Sequence, residues 1–108
     1  MKSWLGRKVS VRIDRPIGSK YPHFPTVYSL NYGYLPDTFS EVDKEEIDAY
    51  VLGPRIPLKE FCGVVIAIVK REDGEIKLVV TDGQDFSVHE IKRQINFQEK
   101  FHKYKIIK

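Results

Sequence analysis

Four acidic side chains crowd into six residues, Asp43, Glu45, Glu46 and Asp48, and the last of them sits where acid is costly. Asp48 falls inside the apolar run Ile47-Asp48-Ala49-Tyr50-Val51-Leu52, where a carboxylate needs a partner or a cation. A second acidic group, Glu72, Asp73 and Glu75, surrounds a turn, and Asp14 closes the first apolar stretch. Hard divalent cations are held by carboxylate oxygens converging from separate parts of a chain. Metals held so activate water and spread the charge of a phosphoryl group. The basic candidates to meet a phosphate are Arg15, Lys20, Arg71 and Lys77, with Tyr32 as a hydroxyl donor. Strand alternation places Lys77 on the face of Glu75 and Val79. Taken alone, Glu72-Asp73-Gly74 is an ordinary turn signal, so the weight of the metal reading rests on Asp48.

Other chemistries are poorly supplied. The single cysteine, Cys62, excludes an internal disulfide and a multi-thiolate zinc site, and beside an apolar run it reads as a small buried hydrophobe. His23, His89 and His102 lack metal-ligand spacing. With no Gly-x-Ser-x-Gly motif and no phosphate-cradling glycine loop, the nucleophile of a hydrolase here is metal-activated water. A net charge of +3 suits a small polyanion, and the basic residues are dispersed apart from Lys100, His102, Lys103, Lys105 and Lys108. The N-terminus has no apolar h-region, and the longest apolar run, 63–69, is too short to span a bilayer. The expectation is a cytoplasmic protein without a membrane or nucleic-acid partner.

The elements that must position these residues are mostly strands. Val9, Val11 and Ile13 alternate with Ser10, Arg12 and Asp14 up to Pro16. Residues 21–36 are rich in Pro, Tyr and Gly, with a short strand expected over 26–29 and a tight turn at Asn31-Tyr32-Gly33-Tyr34. Strands follow at 47–52, 63–71 and 76–80, the last two joined by a hairpin at Glu72-Asp73-Gly74. Ser87 with Glu90 forms a capping box, and Ile91, Ile95 and Phe101 keep a helical period to about Lys103. Short strands punctuated by turns, with one terminal helix, describe a single β-barrel-like domain over 1–108.

Asn31-Tyr32-Gly33-Tyr34, then Asp43-x-Glu45-x-x-Asp48-Ala49-Tyr50-Val51-Leu52, resembles the soluble family I inorganic pyrophosphatases. Their signature is Asp-x-Asp-x-x-Asp shortly after Asn-Tyr-Gly-Tyr. The stretch 63–69, the acidic turn and Lys77-Leu78-Val79 resemble that family's next hairpin, and Glu90 to Phe101 the start of its C-terminal helix. The resemblance implies a mainly β (α+β) fold, a small OB-like five-stranded β-barrel with a C-terminal α-helix. It implies Mg²⁺-dependent hydrolysis of pyrophosphate or a related phosphoanhydride, with Mn²⁺ as a substitute, and a homo-oligomer. It assigns Asp43, Glu45 and Asp48 to catalysis and metal binding, and Asp14, Glu72, Asp73 and Glu75 to further metal ligation. Tyr32 and Lys77 would contact substrate, with Arg15 and Lys20 standing in for a hairpin that 19–31 is too short to hold.

Three departures bear on activity more than on fold. Glu45 stands where the family motif has aspartate, Phe101-His102 where it has Tyr-Lys, and the 19–31 segment is short. Two alternatives stay open at this point. One is a non-catalytic phosphate-binding or interaction module on the same fold. The other is an OB-like nucleic-acid binder, with Tyr21, Phe24, Tyr28, Tyr32 and Tyr34 as stacking platforms.

Overall fold

Alternation in the first apolar stretch produces strand β1, Lys8–Arg15, with Val11 and Ile13 buried and Arg12 and Asp14 exposed between and after them. A computed structural model describes residues 4–20, 27–40 and 44–108 of the chain. Five further strands are β2 (Asn31–Leu35), β3 (Ile47–Val51), β4 (Glu60–Arg71), β5 (Ile76–Thr81) and β6 (Tyr104–Ile107), with helix α1 (Val88–Glu99) between the last two. Neighbours in the sheet run β1-β2-β3-β5-β4-β6, and β1 also pairs with β4. That last pairing closes β1, β2, β3, β5 and β4 into an OB-like five-stranded barrel, which leaves β6 as an appended strand. All pairings are antiparallel except β3 with β5, where Asp48 stands opposite Lys77.

The alternation of side chains divides the core in two. Ala49, Val51, Leu78 and Val80 point into the barrel with Val11, Ile13, Leu35, Val65 and Ile68. Tyr50, Leu52, Val79, Ala67 and Val69 point to the other face, where Ile91 and Ile95 of α1 cover them. Ser87 caps that helix, its Oγ accepting from the Glu90 N–H at 3.1 Å. Ile91, Ile95 and Glu99 recur every four residues, so one face of α1 turns all three to the sheet.

Several expectations are corrected. Asn31-Tyr32-Gly33-Tyr34 is strand, not turn: it pairs with both β1 and β3. Asn31 is fully buried, with its Oδ1 accepting from the backbone N–H groups of Ile17 and Leu58, both at 3.1 Å. Its Nδ2 donates to the Ile56 carbonyl at 2.9 Å. The strand expected over 26–29 reduces to an isolated bridge of Val27 with Lys20, and Thr26 lies outside the described residues. The helix stops at Glu99, four residues early, because the chain turns through 100–103 into β6. Cys62 is exposed rather than buried, since it precedes the buried part of β4 and its thiol meets Ser10 Oγ at 3.2 Å. No helix among the described residues is long and apolar enough to cross a membrane.

Candidate active site

Beside α1, on the sheet face opposite the barrel interior, a cleft of about 660 Å³ is lined by side chains from β1, β2, β3, β4, β5 and α1 and by residues next to them. β1 contributes Asp14 and Arg15 through a bulge: Ile13 pairs with Gly33 and Arg15 with Tyr32, so Asp14 is the extra residue. A bulge breaks strict alternation and re-aims side chains, which lets two consecutive residues line one cleft. Glu45 precedes β3, where the Ser40 N–H bonds to the Glu45 carbonyl at 2.7 Å and Lys44 takes φ 63°.

Asp48 anchors the geometry. Its Oδ2 accepts from the Tyr32 hydroxyl at 2.9 Å and from Lys77 Nζ at 2.7 Å. Lys77 is 4% exposed, and its ammonium also donates to Glu75 Oε1 at 2.5 Å and lies 5.7 Å from the centre of the Tyr32 ring. Glu75 continues the network through its other oxygen, which accepts from Arg71 Nη1 at 3.3 Å. Arg71 in turn forks onto fully buried Glu99, with Nε to Oε1 at 2.9 Å and Nη2 to Oε2 at 2.7 Å. Tyr50 donates to Glu99 Oε2 at 2.5 Å and accepts from Gln98 Nε2 at 2.7 Å. The carboxylate–cation chain therefore runs without a break from Tyr32 to α1.

The electrostatics follow from this wiring. Burial first, then the Asp48 charge, pushes the Tyr32 hydroxyl well above the ordinary phenol range, so it remains a donor. Burial and Glu99 do the same to Tyr50. Burial works against the charged forms of Arg71 and Glu99, but each holds the other ionised: Arg71 is raised and Glu99 lowered from their ordinary values. Burial raises Asp14, opposed by Arg15 and reinforced by Asp48 and Glu46.

At the level of sequence, neither protein-family models nor curated proteins give a match. Solved structures do. An inorganic pyrophosphatase from Ehrlichia chaffeensis superposes with a TM-score of 0.75 at 15% identity, over 95% of this chain and 86% of that one. One from Thermus thermophilus gives 0.64 at 20% identity over 94% and 80%, and one from Helicobacter pylori 0.65 at 17% over 93% and 82%. The fold is pyrophosphatase-like.

On this pyrophosphatase-like barrel the cleft brings together Asp14, Arg15, Tyr32, Glu45, Asp48 and Lys77. Glu75 joins through Lys77 and Arg71. Three expected residues stand apart. Glu72 and Asp73 are exposed in the β4–β5 turn, where Asp73 Oδ1 accepts the Glu75 N–H at 2.9 Å and so shapes the hairpin. Lys20 is exposed at its bridge with Val27 and is not among the lining residues. Asp43 lies outside the described residues. Glu99 and Gln98 escaped the sequence reading. The signal for Glu99 was present, an acid four residues after Ile95 on the buried face of a helix. Phe101 and His102, which depart from the family motif, are among the residues lining the cleft.

The donors suit a hard divalent cation in kind and in charge. Among the described residues, the cleft and the network behind it hold five carboxylates (Asp14, Glu45, Asp48, Glu75, Glu99) against three Lys and Arg side chains, Arg15, Arg71 and Lys77. An excess of two negative charges is what one divalent ion balances. Among those residues no three acids, histidines or cysteines converge closely enough to form a metal cage. Mg²⁺ does not require one: it is commonly held by one or two carboxylates, its own waters and the substrate's phosphates.

Proposed function

We propose that this cleft binds pyrophosphate or a related phosphoanhydride together with Mg²⁺ and hydrolyses it to phosphate. The observation that carries the reading is Asp48, a strand carboxylate in the cleft of a pyrophosphatase-like barrel, held on one oxygen by Lys77 and Tyr32. One or two of Asp48, Glu45 and Asp14 would hold the metal, and Asp43, outside the described residues, is proposed as a further ligand. When bound, Mg²⁺ supplies a polarised water and screens the charge of the phosphoryl oxygens.

The chain's own groups do the rest. Lys77 and Arg15 place positive charge at the cleft wall, and the Tyr32 hydroxyl is a donor at any ordinary pH. Lys77 is kept short of rotational freedom by two carboxylates and the Tyr32 ring, so its ammonium is pre-positioned for a phosphoryl oxygen. Asp48→Asn should abolish Mg²⁺-dependent phosphate release from pyrophosphate by at least about a hundredfold. Turnover equal to wild type in a phosphate-release assay would sink the assignment.

One observation favours a second reading, phosphate binding without hydrolysis. Asp48 Oδ2 is already engaged by an ammonium and a phenol, so a metal must compete for that carboxylate. Calorimetric uptake of pyrophosphate with no release in Mg²⁺ or Mn²⁺ would select it. The stacking reading has less to stand on: Tyr28 and Tyr32 are buried with ring centres 5.5 Å apart, and Tyr21 and Phe24 lie outside the described residues.

A further inference from the structure

Arg71 is nine-tenths buried, yet it is among the residues that line the cleft. A guanidinium carries five N–H donors. Glu99 takes two of them as a fork and Glu75 takes a third. The remaining two, one on each terminal nitrogen, have no partner among the described residues. The group is held from the helix side by Glu99, which is fully buried on α1 and accepts a third bond from Tyr50. A cation fixed in this way offers a preformed fork to a second oxyanion, and phosphate oxygens fit it bidentately.

We propose that Arg71 is a phosphate-contacting residue of this cleft, and that Glu99 is the positioning residue that aims it and tempers its charge. The inference rests on the reading that the cleft binds a phosphate-containing anion, and it adds a contact contributed from β4 and governed from the helix. Because Glu99 both orients and neutralises Arg71, the two residues act on anion affinity with opposite sign. Removing the guanidinium removes donors and leaves Glu99 repelling the ligand. Removing the Glu99 charge, with its shape and one acceptor kept, leaves the guanidinium more strongly positive.

The test is calorimetry with inorganic phosphate and with the non-hydrolysable imidodiphosphate, each in Mg²⁺ and in EDTA. It covers wild type, Arg71→Gln, Arg71→Lys, Glu99→Gln and the double variant Arg71→Gln/Glu99→Gln, with thermal melts of each. The double variant replaces a charged pair by an amide pair that still hydrogen-bonds, so the contact is tested even where Arg71→Gln alone does not fold. Arg71→Gln and the double variant should bind at least about tenfold more weakly. Arg71→Lys should recover part of the loss, and Glu99→Gln should bind several-fold more tightly than wild type, by the same scale of charge-assisted bonds. Affinities that fall in step with melting temperature across the series, Glu99→Gln included, would reduce the pair to a structural role and overturn the proposal. So would a double variant that binds like wild type. Wild type taking up neither probe in either buffer would bring down the reading of the cleft itself, whereas wild-type binding indifferent to Arg71 overturns this inference alone.

Discussion

Glu99 occupies a place where its side chain has no business unless something compensates it. It is the third member of Ile91, Ile95, Glu99, a series whose first two members are core residues with no exposed surface. The Arg71 fork and the Tyr50 hydroxyl supply the compensation and hold the carboxyl below its ordinary value of 4.5 in spite of burial. A lowered folded value means that ionised Glu99 stabilises the fold above pH 4.5 and loses that contribution as pH falls through the lower, folded value. Glu99→Gln should therefore be destabilised by about 3 kcal/mol near pH 7, where Arg71 keeps only Glu75, at 3.3 Å, as a charged partner among the described residues. The gap to wild type should close as the pH is lowered past the folded value. Melting temperature measured from pH 7 down to pH 2.5 checks this, and curves that stay parallel would refute it. Asp14 contributes with the opposite sign: burial raises its value, so its ionisation weakens the fold as pH rises past 3.8.

Among the elements, β2 shows most directly where local signals mislead. Asn31 and Gly33 are both turn formers in isolation. Here Gly33 sits in a strand because β1 passes so close that a Cβ would lie 1.8 Å from the Arg12 carbonyl oxygen and 2.8 Å from Ile13 Cα. Gly33→Ala should cost about 3 kcal/mol or more, a fall of at least ~12 °C in melting temperature for a domain of this size. A melt within about 4 °C of wild type would contradict the close approach. Asn31 is likewise held by remote partners, bonding to Ile17, Ile56 and Leu58, none of which its own neighbours announce. By contrast β1, β3, the β4–β5 hairpin and the start of α1 were legible, because period and punctuation are local. β6 was not: four residues after a short turn establish no period of their own, and pairing with β4 is what makes them strand.

For the molecule as a whole, the site was readable one residue at a time but not in its wiring. Asp48 stood out as an acid in an apolar strand, and alternation put Lys77 beside Glu75. That Asp48 and Lys77 are cross-strand neighbours depends on the parallel β3–β5 pairing, made possible only because β4 goes around the barrel first. Glu72 and Asp73 lie outside the candidate cleft, exposed in the β4–β5 turn. The same β4 has a further consequence. One of its edges is covered by β5, and the other is divided between β1 at 60–64 and β6 at 68–71. Over 68–70 both edges of β4 are paired, and successive amides there donate alternately to β5 and to β6. In hydrogen–deuterium exchange, Val69, whose N–H faces β5, should be among the slowest amides, while Ile68, whose N–H faces β6, exchanges with that strand through local fraying. Rapid exchange at Val69 would mean that β4 and β5 part without global unfolding, and protection of Ile68 equal to that of Val69 would mean that β6 opens only with the barrel.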